Sequence, residues 1–188
     1  MRKEFPRARV CVRYSLGPGL FITVDGMEEP FNEEAALKVE TEMRRLVRLK
    51  LPLERRRISI KEALSFYEQD GQADKAKLLK WRRFSYFDVY QIDGYMDYFY
   101  GEMAPDTSYA DVFRVKYVHD GAVVLLMPRN DAPDVPSDYV DLPKLHAVFH
   151  QSDEWGKLME CATVNDLNTH IQNGTIRELV RINEALHD

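Results

Sequence analysis

The stretch FSYFDVYQIDGYMDYFY, residues 84–100, carries the reading of the fold. Residues 84–92 are rich in aromatic side chains, which suit the half-buried surface of a pleated strand. Asp93-Gly94 directly behind them is a dipeptide that accepts positive φ at both central positions of a tight reversal. Together they predict an antiparallel hairpin. Working outward, residues 112–118 and 122–127 repeat the pattern around His119-Asp120-Gly121, and residues 10–14 and 20–24 repeat it around Gly17-Pro18-Gly19. Residues 53–58 read as a single returning strand.

Helices lie between these strands. Asn32 offers an N-cap ahead of Glu33 and Glu34, and Ala36, Val39, Met43, Leu46 and Val47 recur at helical spacing until Pro52. Ser59 and Glu62 form a capping pair at the start of a second helix that runs to about Gly71, and residues 73–80 make a short third. Residues 128–143 hold four prolines and several aspartates, a composition that sustains neither a ladder nor a helix and predicts a linker. Three helical patterns follow, with Thr163/Asp166 and Thr175/Glu178 as start signals and Gly174 between the last two. The expected fold class is α+β, a mostly antiparallel sheet packed with helices plus a C-terminal helical appendage. The expected organisation is a main domain over residues 1–127, a linker over 128–143 and the appendage over 144–188.

Composition narrows the function. The chain has 188 residues, 45% of them apolar and 11% aromatic, which suits a folded domain rather than a disordered one. With 31 acidic against 26 basic residues the net charge is -5, so the overall field attracts neither RNA nor an anionic membrane, and any RNA contact must be local. Cys11 and Cys161 lack neighbouring partners in sequence and are expected to be buried thiols in a reducing compartment. No run approaches the roughly 18 apolar residues of a membrane span, and Met1-Arg2-Lys3-Glu4 is not followed by an apolar run, so the expected location is the cytoplasm.

Motifs for chemistry are sparse. His146 and His150 share a helix face at the spacing of a zinc pair, but no third ligand accompanies them at a familiar spacing, with Cys161 and His170 the nearest soft groups; packed or surface histidines beside Phe149 and Trp155 are the preferred reading, and no metal is expected. No glycine-rich phosphate loop and no nucleophile elbow is present, and no catalytic residue is assigned. Candidate RNA contacts are Arg44, Arg45 and Arg48 on the first long helix and Arg55, Arg56 and Arg57 just after it, with Trp81-Arg82-Arg83-Phe84 as a further basic and aromatic segment; Glu40, Glu42 and Glu54 lie close enough to neutralise much of this charge. Asp97, Tyr98 and Tyr100 mark a candidate cleft where aromatic faces could stack a nucleoside, set against a plain β-sheet core as the preferred alternative.

The order of Ser15-Leu16-Gly17-Pro18-Gly19-Leu20-Phe21, Val24-Asp25, Leu51-Pro52-Leu53-Glu54-Arg55-Arg56, Glu62-Ala63-Leu64 and residues 93–105 resembles the editing domain of threonyl-tRNA synthetases, over about the first two thirds of the chain. In that family the domain hydrolyses mischarged tRNA with an HxxxH pair and a downstream Cys and His four apart. The resemblance places Phe99 and Met103 at the downstream pair, and the chain begins where the HxxxH helix should just have ended. It therefore implies a degenerate site, with no cofactor of its own.

The final third, through Trp155-Gly156-Lys157-Leu158, residues 163–168 and residues 176–187, is similar to the region that joins such a domain to a uridine-kinase-like domain in certain bacterial nucleoside kinases. That similarity implies an excised fragment, lacking an upstream ubiquitin-like domain and a downstream kinase. The fragment would then be a non-catalytic accessory domain. The parent would be a transferase that uses ATP and Mg²⁺ to phosphorylate a nucleoside, and the kinase domain of the same chain would be the partner. The alternative is a tRNA- or RNA-binding module derived from an editing domain, with no membrane partner and with homo-oligomerisation left open.

Overall fold

The computed structural model describes residues 1, 4–119 and 121–187. Asp120 of the expected turn, and Arg2 and Lys3 of the charged start, lie outside the described residues. In chain order the elements are β1 (Arg9–Leu16), β2 (Gly19–Asp25), α1 (Glu33–Leu49), β3 (Glu54–Ser59), α2 (Ile60–Gln69), α3 (Ala73–Leu79), β4 (Tyr86–Ile92) and β5 (Tyr95–Tyr98). After a 3-10 turn at Thr107–Tyr109 come β6 (Arg114–Tyr117), β7 (Ala122–Leu126), β8 (Pro128–Arg129), β9 (Ala132–Pro136), α4 (Pro143–Leu158), α5 (Val164–Asn173) and α6 (Ile176–His187). The fold is α+β with mostly antiparallel sheets, and the C-terminal helices are present. The chain divides into two compact units, Met1–Glu54 with Glu102–Ala147, and Arg55–Gly101 with Val148–Asp188.

In the first unit four strands run in the order β1-β2-β7-β6. The run AVVLL of β7 is buried on both faces of this sheet, as a strand with period-2 side chains must be when both faces are covered. Val123 joins Val24, Phe31, Ala35, Ala36 and Val39 under α1, whereas Ala122, Val124 and Leu126 join Leu16 and Phe21 in a separate cluster. Gly19 has a steric reason: a Cβ there would stand 2.9 Å from the Leu125 carbonyl oxygen of the paired strand. Helix α1 starts where Asn32 accepts the Ala35 amide at 3.0 Å. It is tied to β6 through Glu40, which accepts from the Val115 amide at 2.8 Å and from the Arg44 guanidinium, whose Nη2 also donates to the Phe113 carbonyl at 2.8 Å.

Two expectations change in this unit. The segment 128–143 does sustain a ladder: β8 and β9 pair antiparallel, Pro128 with Pro136 and Arg129 with Ala132, because Pro128 and Pro136 stand at strand ends and Pro133 falls outside the paired positions. Cys11, expected to be buried, is exposed, because it lies on β1 at the edge of the four-stranded sheet.

In the second unit the strand order is β3-β4-β5. The opening stretch forms the hairpin β4–β5, with Val89 opposite Tyr98 and Ile92 opposite Tyr95. Asp93 and Gly94 take φ of 46° and 79° in its two-residue loop, the left-handed pair such a loop needs. Behind the sheet, Ile58, Ala63, Tyr67, Ala76, Leu79, Phe87, Val89 and Met96 form the core. Ser59 caps α2 by accepting the Glu62 amide at 3.1 Å, and Thr163 with Asp166 forms a full capping box on α5. Helix α5 packs on α3, and Trp81 Nε1 donates to Asn165 Oδ1 at 2.9 Å.

Candidate functional site

The candidate site grows from the hairpin of the second unit. Alternation along β4 sends Phe87 and Val89 into the core and Asp88 outward, where Arg55 and Arg57 of β3 donate to its carboxylate at 2.8 and 2.9 Å. Those two guanidinium groups hold the Asp88 carboxyl down to about 2. Arg56 donates to Gln91 Oε1 at 2.8 Å.

On β5, Asp97 gathers four donors. Tyr67 OH and the Tyr98 amide donate to Oδ1 at 3.2 and 2.8 Å, while Lys75 Nζ and Tyr95 OH donate to Oδ2 at 2.5 and 3.1 Å. The carboxylate is thus charge-matched and hydrogen-bonded on both oxygens. Burial first, and then the adjacent Asp97 charge, push the Tyr67 phenol above the ordinary tyrosine range. Burial likewise raises Tyr98, with Tyr100 and Asp97 adding to the effect.

Beside this network lies a cavity of about 350 Å³ lined by Tyr67, Lys75, Trp81, Arg82, Phe87, Tyr98 and Tyr100 and closed by Val164 at the start of α5. Its walls are aromatic. Tyr98 meets Phe87 at 5.4 Å and Tyr100 edge-on at 5.6 Å between ring centroids. The Arg82 guanidinium stands 4.8 Å over the Phe87 ring, and its Nε is buried with no hydrogen-bond partner. A smaller cavity of about 150 Å³ shares Arg82, Phe87, Tyr98 and Tyr100 with it and adds Phe99, Arg55 and Asp88.

Tyr98 is half-buried and packs against the core of the unit, whereas Tyr100 is 77% exposed. Phe99 lines the smaller cavity. Met103, 38% exposed, belongs to the first unit. Trp81 and Arg82, read from sequence as a basic and aromatic segment, line the cavity, while Arg83 and Phe84 are exposed. Tyr67 and Lys75 carry no motif in the sequence that marks them for the site. The 3.6-residue spacing of Tyr67 on α2 marks it as core, and only its hydroxyl on Asp97 makes it part of the site.

The other candidates separate by unit. In the first, Arg44 and Arg45 are bound to Glu40 and Glu42 at 2.7 Å, and Arg48 is exposed. In the second, Arg55 and Arg57 share the Asp88 carboxylate, while Arg56 donates to the neutral Gln91. His146 is half-buried, its Nδ1 2.6 Å from Tyr14 OH and its ring 4.9 Å from Phe21 and 5.2 Å from His119, while His150 is exposed. Among the described residues no three His, Cys, Asp or Glu side chains are grouped to hold a metal ion, and no helix is long and apolar enough to cross a membrane.

The chain is similar to threonine–tRNA ligases. It is 28% identical over 123 residues to that of Carboxydothermus hydrogenoformans, covering 61% of this chain and 18% of that protein. It is 27% identical over 111 residues to that of Geobacter sp., covering 59% and 17%, and 27% identical over 115 residues to that of Lawsonia intracellularis, covering 61% and 18%. The chain thus spans less than a fifth of the length of these curated relatives. No family model matches it.

Proposed function

We propose that this chain is an RNA-binding module of the threonyl-tRNA-synthetase editing type that has lost hydrolysis, with tRNA as its partner. The similarity to threonine–tRNA ligases supports the origin. The observation that carries the loss is that a phenyl ring and a thioether, Phe99 and Met103, occupy the positions where the resemblance expects a thiol and an imidazole. Neither can take a proton or activate water. The carboxylates of this hairpin are committed elsewhere: Asp88, which lines the smaller cavity with Phe99, to two arginines, and Asp97 to four donors. The consecutive arginines of β3, of which Arg56 meets the neutral Gln91, are the basic segment best placed to meet phosphates, since in the first unit Arg44 and Arg45 are each matched by a glutamate.

Titration with tRNA at about 50 and about 200 mM salt tests this reading, because phosphate-driven affinity falls steeply over that interval. Substituting Arg55, Arg56 and Arg57 by Gln together is expected to weaken binding and flatten the salt slope. No binding, or release of serine from mischarged tRNA by the purified chain, would overturn it.

The second reading is an accessory domain of a nucleoside kinase, with regulatory, sensing or assembly duties and with ATP and Mg²⁺ used by a kinase domain of the same parent. It has in its favour the resemblance of the final third, and about two fifths of the chain lies outside the match to the ligase of Carboxydothermus. The ligases themselves lend it no support. The parent reading frame decides it: no phosphate-binding loop within a few dozen codons downstream removes its basis.

A further inference from the structure

We propose that the cavity of the first unit between α1, the 3-10 turn and the end of β7 binds a small apolar amine, its hydrocarbon body on Met43, Leu46, Phe113 and Leu125 and its ammonium at the mouth beside Asp111 and Tyr109. This goes beyond the RNA-binding reading and does not depend on it. Three observations within the one unit lead to an apolar body that carries one positive charge.

The first is the apolar wall. Met43, Leu46 and Val47 stand at helical spacing on one side of α1, and Leu125 shares the face of β7 that α1 covers at Val123. Val123 is buried under the helix; two residues further along, the same face opens into a cavity of about 680 Å³ floored by the buried Phe113. That volume lies within the range of about 300–1,000 Å³ typical of small-ligand pockets, and apolar surface left in water favours an apolar occupant. The second is rigidity. Thr107 Oγ1 donates to the Leu46 carbonyl at 2.7 Å and accepts the Leu51 amide at 3.0 Å, which ties the 3-10 turn to the end of α1. Arg44 stacks 4.8 Å over the Phe113 ring and holds the Phe113 carbonyl at 2.8 Å. Walls fixed before a ligand arrives leave less to be ordered on binding.

The third is the polarity of the mouth. Thr107 is spent on its two backbone bonds, so Asp111 is the charged side chain among the lining residues. Among the described residues no cation lines the cavity, and neither Asp111 nor Tyr109, both exposed, has a hydrogen-bond, ion-pair or ring partner. They stand two residues apart in one segment, a carboxylate and an aromatic ring, the two groups that draw an ammonium by opposite charge and by the negative face of the ring. A carboxylate on the same apolar body would meet a like charge at Asp111. A neutral body would gain nothing from it.

The test uses the full chain with phenylbutylamine, phenylbutanol and phenylbutanoate, read by calorimetry at neutral pH. Saturable binding is expected for the amine, about threefold or more tighter than for the alcohol, with the carboxylate weakest; Asp111 is open to solvent, so the margin is that of an exposed ion pair and shrinks with added salt. Asp111→Asn should bring the amine to the level of the alcohol and leave the alcohol unchanged. Ala110→Trp, at an exposed lining position, should weaken all three together by filling the space, with the unfolding midpoint as the check on folding. Equal affinities for amine and alcohol in the unaltered chain would overturn the ammonium assignment whether or not the variants fold, and so would tighter binding of the carboxylate. No saturable binding of the amine, or amine binding that Ala110→Trp leaves unchanged, would remove the cavity as the site. Amine binding without tRNA binding leaves this site standing while the RNA-binding reading falls.

Discussion

The two units use comparable elements to opposite ends. In the first, a four-stranded sheet carries an apolar strand, β7, buried on both faces, and its charged groups mainly fasten elements together, as Glu40 and Arg44 fasten α1 to β6. In the second, a three-stranded sheet leaves three phenols, from the buried Tyr67 to the exposed Tyr100, an indole and two cations around a cavity, with one guanidinium nitrogen unmatched. The difference is polar rather than one of packing: among the described residues the buried side-chain nitrogen without a hydrogen-bond partner lies in the second unit, whereas the first unit keeps a cavity of about 680 Å³ lined by Met43, Leu46 and Phe113.

The comparison breaks most readily at Leu126, which is fully buried in the first unit. Leu126→Ala is expected to cost about 2–5 kcal/mol in urea or thermal denaturation, since a methyl-lined void is left behind. A loss below 1 kcal/mol, on the order of a surface substitution, would mean that β7 is not packed on both faces. Next comes Lys75→Met, which strips the ammonium from Asp97. About a third of each side chain remains in water, so the cost should be about 1–2 kcal/mol, below the roughly 3–5 kcal/mol of a broken buried pair.

Thr163→Ala removes the capping box of α5, the helix whose first residue closes the cavity of the second unit, and should cost about 1 kcal/mol while also weakening any ligand of that cavity. Affinity unchanged at reduced stability would separate α5 from the site. Acid titration sharpens the comparison further. The folded carboxyl of Asp88 lies below its unfolded value, so its ion pairs stabilise the protein above the unfolded value near pH 4, and that contribution disappears as pH falls toward about 2. Asp88→Asn should lower stability above pH 5 without changing its slope there and should flatten the profile in the acid window; an unaltered acid limb would show that the clamp adds nothing. The smallest effect is expected at Arg7 and Glu28, an ion pair more than three-quarters exposed on both sides, where Arg7→Ala should change stability by less than about 0.5 kcal/mol.

Much of the architecture was readable because it is encoded locally. Asp93-Gly94 specifies its hairpin through backbone sterics, Asn32, Ser59 and Thr163 announce helix starts through side-chain acceptors, and each element forms where those signals stand. Proline misled the reading of residues 128–143, since its cost falls on interior ladder bonds, and Pro128, Pro133 and Pro136 stand at strand ends or outside the paired positions. Cys11 misled it as well: an apolar neighbourhood in sequence says nothing of whether the strand is central or at an edge. The site was legible only in part. Asp97, Tyr98 and Tyr100 stood out by aromatic density, and Phe99 and Met103 by their place in a resemblance, but Lys75 carries no signal in a helix of ordinary composition.

The amino-acid sequence by itself determined the element types, the hairpin pairing and the absence of acid, base or thiol at positions 99 and 103, because these depend on neighbouring residues or on side-chain identity alone. Tertiary structure decided the rest. Only folding brings Lys75 to Asp97 across 22 residues and Trp81 to Asn165 across 84, and only folding buries Arg82 Nε away from any acceptor. Hydrogen bonding and desolvation act over a few ångströms of space whatever the separation along the chain, so a cavity assembled from distant segments exists as a chemical site only once the chain has closed around it.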